Sequence, residues 1–294
     1  MTDFFIPVFS FVLTASLSFY FANSSKDANI FKQRNTGGKG QPGKLVGGWA
    51  IMFGLFGCFL AYQNLNIGIN ILVPVVPLFF LAFFLIGFFD DLYGMKALQK
   101  LFFQTLVFCW FLSSFDLSLY QIFSLLLLGL ITINGFNFLD GINGLLPLIC
   151  FVLFLQPGQY LATSFIALGV GYSSLKKRNI YLGDSGSLLL GSIAFWIAVT
   201  QLGGPESFDP TNHFRFFFLF FLLPFLDVFW AIIRRTFFGP SEQKNFLNLF
   251  KKISKPDRRH IHHVFKKEYG ELATIIVFML VTWVTTNFAL SFLA

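Results

Sequence analysis

The chain has 294 residues, of which 55% are hydrophobic and only 12% are charged, and 45 of them are Phe. A water-soluble globule of this size cannot bury so much apolar surface, so the composition excludes a soluble protein and indicates a polytopic membrane protein. The formal net charge is +7, but the basic residues are spread over loops without an aromatic platform, which argues against nucleic-acid binding. The apolar runs are continuous and do not alternate, which argues against a β-barrel.

Apolar runs of about the length of a membrane span follow one another along the chain. They predict an all-α bundle of about ten transmembrane helices in a single domain, residues 1–294. The expected spans are 4–22, 46–62, 68–89, 97–113, 118–134, 145–156, 160–175, 186–202, 214–235 and 272–293. The run 145–156 is short, so it could tilt, pair with another helix or re-enter the membrane. The first run lacks a basic region and a cleavage site, so we expect it to be retained.

The basic residues occupy alternate connections between these spans. With the N-terminus outside, the odd-numbered connections hold 20 of the 21 Lys and Arg residues, and only Arg215 lies on the other side. The positive-inside rule then predicts that the odd connections, and a site built from them, face the cytoplasm from the inner (cytoplasmic) membrane. The net positive charge therefore belongs to one membrane face, beside anionic lipids and an anionic substrate.

The first two cytoplasmic connections contain candidate charged groups. The first ends in a Gly-rich stretch with Lys44, which could cradle phosphate, although membrane topology alone also explains this residue. The second begins with two adjacent carboxylates, Asp90 and Asp91, at the end of an apolar span. Half-buried carboxylates of like charge need a cation nearby, and Lys96 and Lys100 are the candidates. A helix-ending turn in water is the alternative explanation.

The third connection carries four polar side chains at three-residue spacing, Asn134, Asn137, Asp140 and Asn143, between two apolar runs. On a helix, neighbours in this series share one polar face. Oxygen-rich side chains are costly at membrane depth, and they suit a hard cation and a sugar nucleotide better than lipid tails. Nearby glycines weaken the helix and let backbone approach a ligand. A capped helix end with a Gly-rich turn is the alternative.

The last two cytoplasmic connections add a further acid and a basic motif. Asp184 stands between two glycines ahead of an apolar run, where a helix N-terminus favours anions and where an N-cap is the alternative. Together with the other acids it predicts a site for Mg²⁺ and diphosphate. The connection 234–270 is expected to form an interfacial helix and a cationic clamp for pyrophosphate, and its histidine spacing does not match a zinc site. The clamp candidates are Arg258, Arg259, His260, His262 and His263. Asp227 is an intramembrane acid expected to pair with an Arg or to line the site.

These motifs resemble those of the polyprenyl-phosphate N-acetylaminosugar-1-phosphate transferase family, and the matching segments span nearly the whole chain. Phe88–Asp91 matches the paired aspartates of the family, Asn134–Leu145 its Asn-rich motif, Gly183–Ser187 its Gly-Asp motif and His260–His263 its C-terminal histidine motif. Each match alone is weak, but their order and their common predicted membrane face make the resemblance specific.

The resemblance implies a role for each matched residue. Asn137 and Asp184 would bind Mg²⁺, with Mn²⁺ as an alternative, and Asp90 and Asp91 would serve the polyprenyl phosphate and the metal with Lys100. The implied catalytic set is Asp90, Asp91, Lys100, Asp140, His260, His262 and His263. The implied substrate contacts are Lys44, Asn134, Asn143 at the uracil edge, Tyr181 stacked on the base, and Arg258 and Arg259 on the diphosphate or sugar.

The implied reaction transfers an N-acetylaminosugar 1-phosphate from a UDP-sugar to undecaprenyl (polyprenyl) phosphate, releasing UMP and starting a lipid-linked cell-surface glycan such as O-antigen. Asn143 replaces the Asp of peptidoglycan-type members, and the first loop lacks their Thr-Pro-Thr pattern. Both departures argue against a muramoyl-pentapeptide substrate and favour UDP-N-acetylglucosamine or a deoxy relative. A homodimer is compatible with the sequence. A transporter using intramembrane acids is the alternative function, but it predicts an inverted repeat that the sequence does not convincingly contain.

Overall fold

The structure of the protein is a computed structural model that describes residues 2–24, 33–34, 43–64, 75–157, 160–176, 180–207, 209–237 and 260–293. α-Helices form nearly all of it, which confirms the predicted all-α class. The helices are α1 (Thr2–Ser24), α2 (Gly47–Asn64), α3 (Val75–Tyr93), α4 (Ala97–Leu112), α5 (Leu119–Leu139), α6 (Leu145–Leu155), α7 (Leu161–Lys176), α8 (Gly183–Gln201), α9 (Pro210–Phe220), α10 (Leu222–Phe237), α11 (Ile261–Tyr269) and α12 (Glu271–Ser291). A 3₁₀ turn, Pro205–Ser207, precedes α9.

Three short strands form a small sheet next to the start of α2 and α8. They are β1 (Gln33–Arg34), β2 (Gly43–Leu45) and β3 (Ile180–Tyr181). The central strand β2 pairs antiparallel with β1 and parallel with β3, where Lys44 lies opposite Ile180. Two backbone hydrogen bonds continue this contact, from Val46 N to Tyr181 O (3.2 Å) and from Gly48 N to Leu182 O (3.0 Å). The sheet therefore aligns the N-terminus of α2 with that of α8.

The helices follow the predicted spans closely, because long apolar segments at membrane depth must satisfy their backbone polar groups internally. Among the described residues, five helices are long and apolar enough to cross a membrane, within α1, α3, α5, α8 and α12. A sixth span results if α9 and α10 are counted together. Helices α2, α4 and α6 are apolar but shorter. The protein is thus a multi-pass membrane protein, while the expected count of about ten spans stays a prediction.

The expected span 214–235 is broken into two helices. Helix α9 ends at Phe220, α10 begins at Leu222, and the two meet at an angle of 91°. Pro224 explains the break, since it has no N–H to donate and its ring would collide with the carbonyl of Phe220 in a continuous helix. After the break, α10 packs against α5. The bend therefore directs the polar residues of α10 toward the end of α5.

Helix α8 is the central element of the bundle. Most of its residues are buried, and α2, α3 and α5 pack around it. Gly87 of α3 lies so close to the backbone of Asp184 that no β-carbon fits there, and Gly48 of α2 is similarly close to Ser185 and Gly186. Small residues let membrane helices approach closely, which matters because lipid supplies little hydrophobic driving force for their association. These contacts fix the first turn of α8.

The outer surface of the bundle is apolar. On α12, for example, Leu272, Ile276, Leu280 and Trp283 are all about half exposed or more. Their spacing of three to four residues places them on one side of the helix. Such a continuous apolar stripe is expected where a helix contacts lipid tails.

Candidate active site

The end of α3 and the starts of α4 and α8 meet around the ammonium group of Lys100. Lys100 Nζ lies 2.9 Å from Asp90 Oδ2 and also forms an ion pair with Asp184 Oδ2. The side chains of Lys100 and Asp90 are only 10% and 14% exposed. Charges with so little access to water are retained when each has a partner of opposite sign. The structure thus brings together three of the predicted site residues from three separate helices.

Asp91 has different partners from its neighbour Asp90. Its Oδ1 accepts a hydrogen bond from the backbone N–H of Asp184 (2.9 Å), and its Oδ2 accepts one from the backbone N–H of Ser185 (3.0 Å). These N–H groups belong to the first turn of α8, where a helix leaves its donors without internal partners. A carboxylate at this end also interacts favourably with the helix dipole. Asp91 therefore caps α8, whereas Asp90 faces Lys100.

The side-chain amide of Asn137, on the last turns of α5, completes this cluster. When the amide oxygen of Asn137 faces Lys100 Nζ, at 3.0 Å, the amide nitrogen lies 3.2 Å from Asp184 Oδ1 and 2.8 Å from Ser187 Oγ. If the amide turned over, its oxygen would take the position 3.2 Å from Asp184 Oδ1. Adjacent oxygens around a Mg²⁺ ion are about 3 Å apart, because its bonds are close to 2.1 Å long. Asn137 and Asp184 therefore fit as two ligands of one hard cation.

Only the first half of the polar series lies on one helix. Asn134 lies on α5, and its Nδ2 donates to Gln104 Oε1 (2.8 Å) and to the carbonyl of Leu130 (2.8 Å). Helix α5 ends at Leu139, so Asp140 is its C-terminal cap residue. Asn143 lies in the turn before α6, and its Nδ2 donates to the carbonyl of Ser174 (3.1 Å). The expected common face thus applies to the first half of the series, and the alternative of a helix end with a turn describes the second half.

The histidine motif begins helix α11. His260 is the residue before the helix, and its Nδ1 lies 2.9 Å from Asp227 Oδ2. The backbone N–H of Ile261 donates to Asp227 Oδ1 (2.8 Å). His262 is fully buried, and burial lowers its pKa to about 3, with the nearby His263 acting in the same direction and Asp227 opposing it. His262 is therefore uncharged at physiological pH.

The end of α5 joins the acidic cluster to the histidine motif. The ring of Phe138 contacts that of His260, with centroids 5.1 Å apart. Two residues beyond the helix, Gly141 lies so close to the ring of His262 that a β-carbon would not fit. Asn137, in the same turn as Phe138, faces Asp184. Acids, amides and histidines that are far apart in the sequence therefore lie at one end of the bundle.

Two further candidates lie at the edge of this site or apart from it. Lys44 is 9% exposed, and its Nζ donates to the carbonyl of Ala22 (2.8 Å) near the C-terminus of α1. A lysine at this position interacts favourably with the negative end of the helix dipole. Tyr181 is half-buried in β3, two residues before α8. Arg258 and Arg259 lie outside the described residues.

Sequence reasoning missed several partners of the predicted residues. Asp227 pairs with His260, a partner that the sequence did not indicate. Ser187 and Gln104 each contact an Asn of the polar series, and neither is among the predicted site residues. Ser187 follows Asp184 by one helical turn, and this spacing could have identified it. Gln104 follows Lys100 by one turn in the same way.

Comparison with known proteins points to one family. Residues 73–201 match the sequence model of glycosyl transferase family 4. An undecaprenyl-phosphate alpha-N-acetylglucosaminyl 1-phosphate transferase of Thermotoga maritima is 28% identical over 278 residues, covering 92% of this chain and 83% of that protein. A decaprenyl-phosphate N-acetylglucosaminephosphotransferase of Mycobacterium tuberculosis is 26% identical over 330 residues, covering 92% of this chain and 78% of that protein.

A third relative matches over a shorter segment. The undecaprenyl-phosphate alpha-N-acetylglucosaminyl 1-phosphate transferase of Yersinia pestis is 30% identical over 153 residues, which cover 46% of this chain and 38% of that protein. The apolar helical bundle with a polar site at one of its ends is compatible with an integral membrane enzyme of this kind. These similarities support the resemblance to polyprenyl-phosphate N-acetylaminosugar-1-phosphate transferases that the motifs predicted, and the match to the glycosyl transferase family 4 model covers residues 73–201.

Proposed function

We propose that the protein transfers an N-acetylaminosugar 1-phosphate from a UDP-sugar to undecaprenyl phosphate, releasing UMP and starting a lipid-linked cell-surface glycan such as O-antigen. The observation that carries this proposal is the convergence of Asp90, Lys100, Asn137 and Asp184 at one end of a membrane-embedded bundle. The names of the relatives support the acceptor and the sugar, since they include undecaprenyl phosphate and N-acetylglucosamine.

The proposed step is a displacement at phosphorus. An oxygen of the polyprenyl phosphate attacks the phosphorus that carries the sugar, and the bond between this phosphorus and the oxygen of UMP breaks, so that UMP leaves with the electron pair. The lipid phosphate is already largely anionic at neutral pH, so the attack needs no general base. Such transfers depend on positioning and on neutralising the phosphate oxygens. Lys100, held between Asp90 and Asp184, is a cation placed to contribute to this neutralisation.

We assign Mg²⁺ to Asn137 and Asp184, and Mn²⁺ would accept the same oxygen ligands. When bound, the ion would polarise the diphosphate and stabilise the leaving UMP. Mg²⁺ usually takes one or two protein carboxylates and completes its shell with phosphate and water, which suits a site with few acidic ligands. Asp91, through its two bonds to the first turn of α8, would hold Asp184 in the direction of this site.

The histidine motif and the turn after α5 would bind the nucleotide sugar. His262 is uncharged, so it would act as a hydrogen-bonding and packing group, while His260 and His263 lie next to it. We assign the uracil to Asn143 and Tyr181, beside the sheet. The described Lys residues near this end of the bundle, including Lys176, support a cytoplasmic face at the inner membrane.

The test is release of UMP by the purified protein with undecaprenyl phosphate, Mg²⁺ and a set of UDP-sugars. We expect release with UDP-N-acetylglucosamine or a deoxy relative, and its loss in Asp184→Ala with the fold retained. Thr200→Val is the matched control, because it removes a hydrogen bond to Tyr160 (2.5 Å) at the far end of α8. An absence of UMP release with every UDP-amino sugar would refute the proposal.

A further inference from the structure

Asp227 is a buried acid to which the proposed reaction gives no task. It lies on α10, after the break at Phe221, and it is only 1% exposed. A carboxylate so deeply buried is costly unless donors satisfy both of its oxygens. The partners of Asp227 therefore indicate what it is retained for.

Both oxygens of Asp227 have a donor, and both donors belong to the start of the histidine helix. Oδ1 accepts the N–H of Ile261 (2.8 Å), and Oδ2 lies 2.9 Å from Nδ1 of His260. The N–H of Ile261 is the first one of α11, where a helix has no internal acceptor for it. One donor for each oxygen is the arrangement expected for an ionised carboxylate. Because a carboxylate only accepts hydrogen bonds, Nδ1 of His260 must carry a proton.

We propose that Asp227 is a positioning residue that fixes the start of α11 and holds a proton on Nδ1 of His260. This inference deepens the proposed function and rests on it for its catalytic consequence. With the proton fixed on Nδ1, Nε2 is the ring nitrogen that carries the lone pair, so the tautomer of the ring is defined.

The same contact fixes the rest of the motif. Asp227 joins α10 to the residue that begins α11, and the ring of His260 packs on Phe138 at the end of α5. His262 follows within the first turn of α11 and packs on Gly141. Among the described residues, neither ring nitrogen of His262 has a hydrogen-bond partner, but its Nδ1 lies 3.7 Å from the same Oδ2 of Asp227. The Asp227 contact therefore orients the motif from its first residue.

The inference predicts a spectroscopic signature that does not depend on activity. The chain contains only 4 His, so a ¹⁵N-histidine spectrum of the purified protein can be assigned with His260→Gln. At about pH 8, where an ordinary histidine is neutral, we expect His260 to be protonated at Nδ1 in the wild type. In Asp227→Asn, the side-chain NH₂ replaces one acceptor, so the proton should move from Nδ1 to Nε2.

Asp209→Asn is the matched control, because Asp209 also caps a helix near a histidine, at the opposite end of the bundle. Its side chain accepts the N–H of Asn212 (3.0 Å) at the start of α9, where His213 lies. This variant should leave the His260 signals unchanged. A wild-type His260 without a proton on Nδ1 would overturn the inference, even if Asp227→Asn did not fold. Unchanged His260 signals in a folded Asp227→Asn would overturn it as well.

The catalytic consequence is tested by UMP release from UDP-N-acetylglucosamine. We expect kcat/KM to fall at least about tenfold in Asp227→Asn, as for loss of a residue that orients a catalytic histidine. In His260→Gln, addition of Asp227→Asn should lower kcat/KM by less than about twofold, because the two residues act as one unit. If the two substitutions instead lowered kcat/KM by independent factors that multiply in the double variant, Asp227 would not act through His260. No UMP release by the wild type would refute the proposed function, while the spectra would still decide the role of Asp227.

Discussion

The replacement Asp91→Asn separates a structural role of the paired acids from a chemical one. The carboxylate of Asp91 accepts two backbone hydrogen bonds, at 2.9 and 3.0 Å, from the first turn of α8. An Asn of the same shape can accept one of them, and its NH₂ group then faces the other N–H without an acceptor. The variant therefore loses one charge-assisted hydrogen bond and leaves a donor unpaired at a helix end.

The expected cost follows from these contacts. A hydrogen bond to a charged group contributes about 1.5 to 3 kcal/mol, and the interaction of a carboxylate with the helix dipole adds roughly 0.3 to 1 kcal/mol. We expect Asp91→Asn to lower the free energy of unfolding by about 2 to 4 kcal/mol and Tm by several degrees. UMP release should fall about 10- to 100-fold, because Asp184 is displaced by a fraction of an ångström rather than removed.

The assay combines a thermal melt in detergent with UMP release at saturating substrate. Thr200→Val is the control, since it should lower Tm but leave UMP release unchanged, about 24 Å along α8 from Asp184. If Asp91 instead reacted with substrate, Asp91→Asn would abolish turnover while Tm stayed at the wild-type value. That result would refute the capping role.

Three further predictions concern neighbouring groups. Lys100→Met leaves two carboxylates without their cation, so UMP release should fall at least about a hundredfold. Lys100→Arg keeps the positive charge and should retain part of the activity. Equal activity of the two variants would contradict the ion-pair role. Asn137→Ala should raise the Mg²⁺ concentration for half-maximal UMP release at least about tenfold, and an unchanged Mg²⁺ titration would exclude it as a ligand. His262 has a pKa of about 3 when folded, whereas the unfolded chain takes up this proton near pH 6.5, so acid favours unfolding. The contribution of neutral His262 to the free energy of unfolding is complete above about pH 6.5 and falls by about 1.4 kcal/mol per pH unit below it. The denaturant concentration at the unfolding midpoint should therefore be lower at pH 5 than at pH 7, and this difference should be smaller in His262→Asn.

The sequence predicted the helices well and the contacts between distant residues only in part. The apolar runs located nearly every helix because backbone groups in lipid have few alternatives to helical hydrogen bonds. The break at Phe221 lay within a continuous apolar run, although Pro224 provided a signal. Charge type indicated that Asp90 and Asp184 need a cation, but not that Lys100 serves both.

The different roles of Asp90 and Asp91 could not be read from their order in the chain. Adjacent residues on a helix point in directions about 100° apart, so which acid faces the start of α8 depends on how α3 is rotated against it. The close approach of Gly87 to α8 fixes that rotation. The pairing of Asp227 with His260 could likewise not be predicted from the sequence. The two residues are separated by a long connection, and their contact depends on the bend between α9 and α10.

The corner between α9 and α10 explains part of the unusual Phe content of the chain. A helix break frees backbone groups that water cannot reach inside a bilayer, so the surrounding protein must shield them. Four aromatic rings, from Phe216, Phe217, Phe220 and Phe221, are buried at this corner, and Phe225 stacks on the last of them. These packed rings exclude water from the backbone at the position where the chain changes direction. A single polar replacement among these rings would admit water to the corner. It would also weaken the contact by which Asp227 holds the histidine motif, some forty residues further along the chain.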